Sequence, residues 1–265
     1  MSPSSPLQGG DDRTEATARV ADVLLHFLGG SETQGVSEIA RDLGLSKAVV
    51  HRILRTLVDR DLLGFDVGTR RYRMGPAVAA LGSRALRDSD LRRAALPILR
   101  DLASRAGETA TVSALVADER VYLDQVISDD EIKMTVEIGR RWPLHAGSSG
   151  RAVLAFLEPA HRDRILAGDL PALTDSTIVD KEVLRERLAE VRREGLAFSG
   201  GERQAGAASV AAPVLDVDGH AIGALSVCGP VNRFNYEVRA RLASALRAGA
   251  DELSCLLGWR GGLPD

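Results

Sequence analysis

The sequence predicts an α+β protein with two domains: a small, mainly helical N-terminal domain and a larger C-terminal domain that mixes strands and helices. Three observations support this prediction. The chain has 265 residues, which is long for one ordinary domain and sufficient for two. Up to residue 60 the apolar residues follow helical spacing. Beyond residue 108, segments with strand-like alternation are interleaved with helical segments.

The composition is typical of a globular protein in water, because hydrophobic residues make up 45% and charged residues 27% of the chain. No apolar run approaches the roughly 20 residues that a membrane-spanning helix needs, so no membrane partner is expected. The first residues, MSPSSPLQGGDD, lack the basic start and apolar centre of a secretion signal. Their Ser, Pro, Gly and Asp content predicts a disordered tail over residues 1–13. A cytoplasmic location is the simplest interpretation.

The charge distribution says more than the formal net charge of −3. Between residues 41 and 73 the chain carries eight basic and four acidic side chains. A local basic excess in an otherwise neutral to acidic chain is compatible with a surface that contacts DNA. Charge runs are also common on ordinary solvated surfaces, so the excess alone does not decide.

The N-terminal domain, residues 14–75, begins with three predicted helices. Residues 14–28 have apolar side chains at helical spacing and end at two glycines. Ser37 is expected to cap a short second helix that Gly44 ends, and Ser46 a longer third helix that runs to about Arg60. Two helices separated by a three-residue turn indicate a helix-turn-helix, with the third helix as the candidate DNA reader.

The reader helix divides into an apolar and a basic side at 100° per residue. The apolar arc contains Val49, Val50, Ile53, Leu54, Leu57 and Val58. The opposite arc contains Lys47, Ala48, His51, Arg52, Arg55 and Thr56. A basic helix face suits the major groove, where Arg and Lys reach base edges and phosphates. An ordinary amphipathic surface helix has the same pattern, so the alternative stays open at this point.

A hairpin pattern follows the reader helix and favours DNA binding. Residues 63–66 and 71–74 read as two strands joined by the turn 67–70. A hairpin directly after a basic helix is typical of a winged helix-turn-helix. Arg70 and Arg71 at its tip are expected to reach the phosphate backbone or a minor groove.

Three longer motifs follow one another along the chain. The first is VSEIARDLGLSKAVVHRILRTLVDRDLLGFD followed by RRYRMGPAVAALG. The second is PLHAGSSGRAVLAFL at 143–157, and the third is GLAFSGGERQAGAASVAAPVLDVDGHAIGALSVCGP at 195–230. Helix-turn-helix domains are common, but the ordered set is specific. It resembles the isocitrate-lyase-regulator (IclR) family of bacterial transcription factors, and the resemblance extends from about residue 14 to residue 257.

The resemblance implies a regulator whose affinity for operator DNA is modulated by a small-molecule effector. It implies a linker helix within residues 76–90, around Pro76 to Arg87, and a GAF-like α/β effector-binding domain over 91–260. It also implies homodimers that pair through the DNA-binding region and linker, and often dimers of dimers. The expected DNA-contacting residues are Ser37, Ser46, Lys47, His51, Arg52, Arg55, Arg70 and Arg71. Many members have a hydroxyl pair after the lysine, where this chain has Ala48-Val49, which puts one or two of the family's contacts in doubt.

The C-terminal pattern fits the implied domain independently of the resemblance. The predicted helices cover residues 91–106, 150–157, 159–168, 180–194 and 234–257. The predicted strands cover 109–116, 120–127, 132–138, 207–216 and 220–228.

One end of this domain is expected to hold the effector. Ser148 and Ser149 stand at a helix start, where unpaired N–H groups favour an anion. Alternation over 221–228 puts Ser226 and Cys228 on one face with Ile222 and Ala224. By resemblance, these four polar residues, with Ser209 and Ser199, line the effector cavity. Helix capping or tight packing of small residues would also explain them.

Hydroxyls and N–H groups without a nearby committed acid suit a small carboxylate or another oxygen-rich metabolite. Some relatives carry an acid at the position that aligns with Ser199. Because this chain lacks that fixed charge, its ligand preference is expected to differ from theirs. A C-terminal domain that serves only for oligomerisation is the alternative to this sensing role.

The residues do not predict catalysis or metal binding. Cys228 and Cys255 have neither metal-ligand spacing nor a disulfide framework, and the five histidines show no i, i+4 pair. The segment 147–150 lacks the spacing of a nucleophile elbow. We therefore expect no cofactor, no metal and no enzymatic activity, and interpret His145 as a packing residue behind the loop.

Overall fold

The computed structural model describes residues 9–29, 31–234 and 236–261. The chain splits into two compact units, Met1–Asp88 and Ser89–Asp265. The linker helix belongs to the first unit. Residues 1–8 of the predicted tail lie outside the described residues, whereas residues 9–13 belong to the first helix.

The first unit has the order helix, helix, helix, strand, strand, helix. Its elements are α1 (Gly9–His26), α2 (Val36–Asp42), α3 (Lys47–Val58), β1 (Leu63–Asp66), β2 (Arg71–Met74) and α4 (Pro76–Asp88). The strands β1 and β2 pair antiparallel, with Leu63 opposite Met74 and Asp66 opposite Arg71. The predicted winged helix-turn-helix is confirmed at the level of these elements.

The core of this unit is built on the apolar side of α3. Val50 and Leu54 are fully buried, and they pack in one cluster with Val23 of α1, Ile39 of α2 and Leu63 of β1. Burying each such side chain contributes roughly 1.5–3 kcal/mol. The predicted division of α3 is confirmed, because its opposite arc is exposed from Lys47 to Thr56.

The prediction that Ser37 caps α2 is wrong. The cap is Gly35, and the carboxylate of Glu38 accepts the Gly35 N–H at 3.3 Å. Ser37 is the second residue of the helix and is exposed. A glutamate in the first turn can accept this N–H without a hydroxyl at the cap, and the cap therefore lies two residues upstream of the predicted one.

The second unit contains one antiparallel sheet of six strands and five α-helices among the described residues. The sheet order is β5-β4-β3-β8-β7-β6. The elements are α5 (Asp90–Ala106), β3 (Thr109–Val116), β4 (Glu119–Val126), β5 (Arg141–Pro143), α6 (Ser148–Ala155), α7 (Pro159–Ala167), α8 (Lys181–Glu194), β6 (Ala197–Gly200), β7 (Ala207–Leu215), β8 (Ala221–Pro230) and α9 (Tyr236–Leu256).

Helices cover both faces of this sheet. One face carries Val112, Val210 and Leu225, which pack in one cluster with residues of α5 and α9. The other face carries Ala197, Ala211 and Ala224, which pack against α6 and α8. Polar side chains on the second face are therefore buried, although strand alternation alone would allow them to face solvent.

The predicted strand over residues 132–138 is wrong, because this segment has no regular structure. The side chain of Gln125 donates to the Val136 carbonyl at 2.7 Å and accepts the Val136 N–H at 2.8 Å. A side-chain amide thus takes the place of strand pairing at this point. The strand beside β4 is instead the three-residue β5.

The hairpin of β7 and β8 is confirmed, with one departure in facing. Its turn is closed by Asp216, whose side chain accepts the N–H groups of Asp218 and His220 at 3.0 and 2.9 Å. The register shifts between Val214 and Leu215. As a result Ile222 packs with the α5 and α9 cluster and not on the face of Ser226, as alternation predicted.

None of the helices in the described ranges combines the length and apolar character needed to cross a bilayer.

Candidate functional sites: a basic helix face and a polar cavity

The exposed side of α3 presents a row of polar and basic side chains. The Ser46 hydroxyl caps the helix by accepting the Val49 N–H at 3.3 Å, as predicted. Lys47, His51, Arg52 and Arg55 are all exposed beyond this cap. Because the apolar side of the helix is fixed in the core, the basic side has a defined orientation on this unit.

The cations on this face are not neutralised within the described part of the unit. The ion pairs found there are Arg19–Glu15, His26–Asp42, Arg41–Asp42, Arg71–Glu38 and Arg84–Asp88. None of them involves Lys47, Arg52 or Arg55. Unpaired cations on one helix face produce the positive potential that attracts a phosphate backbone.

The two arginines predicted at the wing tip have different surroundings. Arg70 is exposed and adopts a left-handed backbone (φ 55°). In contrast, Arg71 donates to the Thr33 hydroxyl at 2.9 Å, to the Thr33 carbonyl at 2.6 Å and to Glu38 at 2.8 Å. The Gly35 N–H, followed by Arg71, lowers the pKa of Glu38. Arg71 therefore ties the wing to the start of α2.

All six predicted effector residues line one cavity in the second unit. Its volume is about 20 Å³, which suffices for a water molecule. The predicted residues around it are Ser148, Ser149, Ser199, Ser209, Ser226 and Cys228. The lining residues that were not predicted are Arg120, Tyr122, Gly147, Arg203, Gln204, Ala207 and Ala208.

The first turn of α6 forms one wall of this cavity. Gly147 (φ 84°) precedes Ser148, whose hydroxyl lies 2.7 Å from that of Ser209 on β7. At Gly150 an added Cβ would come within 2.5 Å of the Leu144 carbonyl oxygen. The absence of a side chain at Gly150 thus lets the turn lie against the chain that precedes it.

Neighbouring strands supply the opposite wall through their register. Ser199 pairs with Ser209, and Ser209 pairs with Cys228, so the three lie side by side across β6, β7 and β8. The Ser226 hydroxyl lies 2.7 Å from that of Thr111 on β3. Burial raises the pKa of Cys228 to about 11. Its thiol is therefore neutral at physiological pH and contributes a small, weakly polar surface.

Cationic and aromatic side chains close the cavity. Arg120 on β4 is 1% exposed, with Cζ 4.5 Å from the centre of the Tyr122 ring. The Cζ of Arg203 lies 5.7 Å from the Tyr122 ring centre and 4.8 Å from that of Trp142. The sequence carried one signal for the first two: Arg120 and Tyr122 alternate with the apolar Val121 and Leu123. We did not predict Arg203, which lies in a loop.

An acid does lie beside the cavity, contrary to the expectation of none nearby. The carboxylate of Glu202 accepts the Gly147 N–H at 3.2 Å and pairs with Arg151. Burial lowers the pKa of Arg151 to about 10, which leaves it charged at neutral pH. Glu202 is therefore neutralised and does not line the cavity.

The hydrogen bond of His145 goes to the main chain and not to the serines that line the cavity. His145 is 2% exposed, its Nε2 bonds to the Pro171 carbonyl at 3.0 Å, and burial lowers its pKa. This is the packing role that the sequence predicted. Within the described ranges no group of three His, Cys, Asp or Glu side chains has the arrangement of a metal site.

Two family profiles match this chain and together cover both units. The profile "Bacterial transcriptional regulator IclR C-terminal" matches residues 83–255, and "IclR helix-turn-helix domain" matches residues 16–66. The chain belongs to the IclR family. As an IclR-family protein it is a DNA-binding transcriptional regulator with a C-terminal effector-binding domain.

Relatives and solved IclR structures agree over nearly the whole chain. The HTH-type transcriptional regulator BhcR of Paracoccus denitrificans is 34% identical over 90% of this chain and 86% of its own length. A putative IclR regulator from Silicibacter sp. TM1040 has a TM-score of 0.84 at 32% identity, covering 92% of this chain and 97% of that one. An IclR homologue from Microbacterium hydrocarbonoxydans, solved with 4-hydroxybenzoate, has a TM-score of 0.70 at 28% identity, covering 91% and 98%.

Proposed function

We propose that this IclR-family regulator reads its operator with the exposed side of α3 and supports that contact with Arg70 of the wing. The observation that carries the proposal is the row of exposed cations on α3 that pair with no acid in the described part of the unit. Arg52 and Arg55 would contact base edges or phosphates, while Ser46 and Lys47 contact the backbone near the helix start.

The remaining predicted DNA-contacting residues differ in whether their side chains are free to reach DNA. His51 shares the exposed face, and Ser37 offers an exposed hydroxyl in the first turn of α2. Arg71 is engaged by Thr33 and Glu38. We therefore assign Arg71 the role of orienting the wing in place of the predicted contact.

The proposed effector site is the polar cavity between α6 and the strands β6, β7 and β8. Its support is the convergence of six hydroxyl and thiol side chains with the first turn of α6. A small carboxylate or another oxygen-rich metabolite suits these donors. The related structure with 4-hydroxybenzoate is consistent with a ligand of this kind in the family.

The assembly we propose is a homodimer, or a dimer of dimers, in the cytoplasm. Two winged helices in one dimer must match two half-sites about one helical turn apart, or a multiple of it. An effector that prefers one arrangement of the dimer then changes operator affinity. The buried, engaged His145 and the neutral thiol of Cys228 support a binding domain without enzymatic activity.

The experiment that tests the DNA assignment is an Arg52→Ala substitution. Genomic footprinting first identifies a bound fragment, and a gel shift on that fragment then measures affinity. We expect a loss of about 1–3 kcal/mol in binding free energy, the value of one bidentate base contact. Arg100→Ala, which changes an exposed arginine of α5, is the control and should leave affinity unchanged. Equal affinities of Arg52→Ala and the original chain would remove α3 as the reader.

A further inference from the structure

Arg120 is a buried cation without a protein partner for most of its donors. It is 1% exposed and is one of the largest fully buried side chains of the chain. Its Nε and Nη1 donate to no protein acceptor. No carboxylate of the described residues forms an ion pair with it, although twelve other arginines of the second unit are paired, among them Arg92 with Asp124 and Arg141 with Glu119.

Such a group is costly for the folded chain, because a buried charge without a partner loses its hydration and gains nothing in return. The guanidinium carbon of Arg120 lies over the face of the Tyr122 ring, 4.5 Å from the ring centre. A ring face accepts no conventional hydrogen bond from Nε and Nη1. The folding of the chain alone therefore gives no reason for Arg120 at this position, which points to a ligand.

The charged side chains that line the cavity around Arg120 are all cations. Arg120 and Arg203 are the charged residues among its described lining, and no acid lines it. The first turn of α6 adds the partial positive charge of a helix N-terminus. The nearest acid beside this turn, Glu202, is neutralised by Arg151.

We propose that Arg120 anchors the anionic group of the effector, and that the effector is a carboxylate. This inference rests on the proposed effector cavity and names the residue that selects its ligand. A guanidinium presents parallel N–H groups that match the two oxygens of a carboxylate. The hydroxyls of Ser148, Ser149 and Ser226 line the same cavity and can bond the oxygens that remain.

The body of the effector needs more space than the cavity of about 20 Å³ provides. A second cavity of about 500 Å³, lined by Trp142 and Glu137, shares Arg203 and Gln204 with the first. Arg203 lies between the two and is held by ring contacts with Tyr122 and Trp142. Displacement of the Arg203 side chain would join them, so the carboxylate reaches Arg120 while the rest of the ligand occupies the outer space.

The test is thermal unfolding of the full chain with matched ligand pairs at constant ionic strength. The probes are formate, acetate, benzoate and 4-hydroxybenzoate, each compared with its amide. We expect a saturable rise in Tm with at least one carboxylate and none with its amide. Arg120→Met should weaken the binding of the responsive carboxylate about ten- to hundredfold, since hydrogen bonds to a charged group contribute this much to affinity. Arg120→Lys should bind this carboxylate with intermediate affinity, and Arg100→Met should show the same Tm shift as the original chain.

Unfolding without ligand separates an anchor from a structural arginine. If Arg120 is an anchor, Arg120→Met should leave the Tm of the free protein unchanged or raise it, whereas the loss of a structural ion pair would lower it. A lowered Tm, or no carboxylate-specific shift in the original chain, overturns the proposal. An amide that binds as tightly as its carboxylate and is unaffected by Arg120→Met overturns the anchor but leaves the effector cavity in place.

Discussion

At the scale of single residues, adjacent side chains of the same type acquire different roles from the backbone that carries them. Arg70 lies in the hairpin turn with a left-handed backbone, and its side chain is exposed. Arg71 begins β2, which directs its guanidinium to Thr33 and Glu38. Both arginines were predicted to contact DNA, because a turn boundary in the sequence does not reveal which distant acceptors a strand will meet.

This difference predicts separate effects for Arg70→Met and Arg71→Met, one on DNA binding and the other on stability. Arg71→Met should destabilise the chain by about 1–2 kcal/mol, since it removes two hydrogen bonds to Thr33. Arg70→Met should leave stability unchanged and make the salt dependence of operator binding shallower by about one unit in log–log slope. Urea unfolding and gel shifts at several salt concentrations measure both effects. A stable Arg71→Met, or an unchanged slope in Arg70→Met, would contradict the separation.

The candidate effector residues show what a sequence can reveal about a cavity. The resemblance predicted all five serines and the cysteine, while strand alternation placed only Ser226 and Cys228 on one face, and the structure brings all six around one cavity. Arg120 was not predicted, because an arginine on a strand is normally assigned to solvent. Here helices cover both faces of the sheet, and Arg120 is 1% exposed, which no local pattern in the sequence indicates.

At the scale of elements, segments with strong local periodicity were predicted well. The boundaries of β1 and β2 agree with the pattern, and α3 divides as its angles indicated. Two of the errors occur where a side chain replaces a main-chain partner: Glu38 at the cap of α2, and Gln125 against the segment at Val136. The alternation of apolar residues carries no information about such contacts between a side chain and the main chain.

The start of α6 supports a prediction about Gly150. An alanine Cβ there would meet the Leu144 carbonyl oxygen at 2.5 Å and its carbon at 2.9 Å. Because these are main-chain atoms, the first turn must shift, and Gly150→Ala should cost about 1–3 kcal/mol. It should also weaken carboxylate binding, since Ser148 and Ser149 would move with the turn. Urea unfolding and ligand-dependent Tm shifts measure these effects.

Gly200→Ala is the matched control for this prediction, since an added Cβ there meets nothing within 4 Å. Its stability should change by no more than about 0.5 kcal/mol. If Gly150→Ala were as stable as Gly200→Ala, the close approach of α6 to Leu144 would not constrain the cavity wall.

At the scale of the whole molecule, each compact unit has its own hydrophobic core and its own candidate site. The cluster around Val50 and Leu54 supports the basic face of α3, and the two clusters on either side of the sheet hold the strands that line the polar cavity. Because the sites lie in separate units, regulation requires a coupling free energy between them. Such coupling is reciprocal for equilibrium binding.

Reciprocity gives a prediction that does not depend on whether the effector strengthens or weakens DNA binding. If a saturating carboxylate changes operator affinity by a given factor, saturating operator DNA must change carboxylate affinity by the same factor, typically 5- to 150-fold. Fluorescence anisotropy on labelled operator and calorimetric titration of the ligand measure the two factors. Arg120→Met should bind operator normally and lose the ligand response, while Arg100→Met should keep both. Operator affinity that no bound carboxylate alters would mean that the cavity is not coupled to DNA binding.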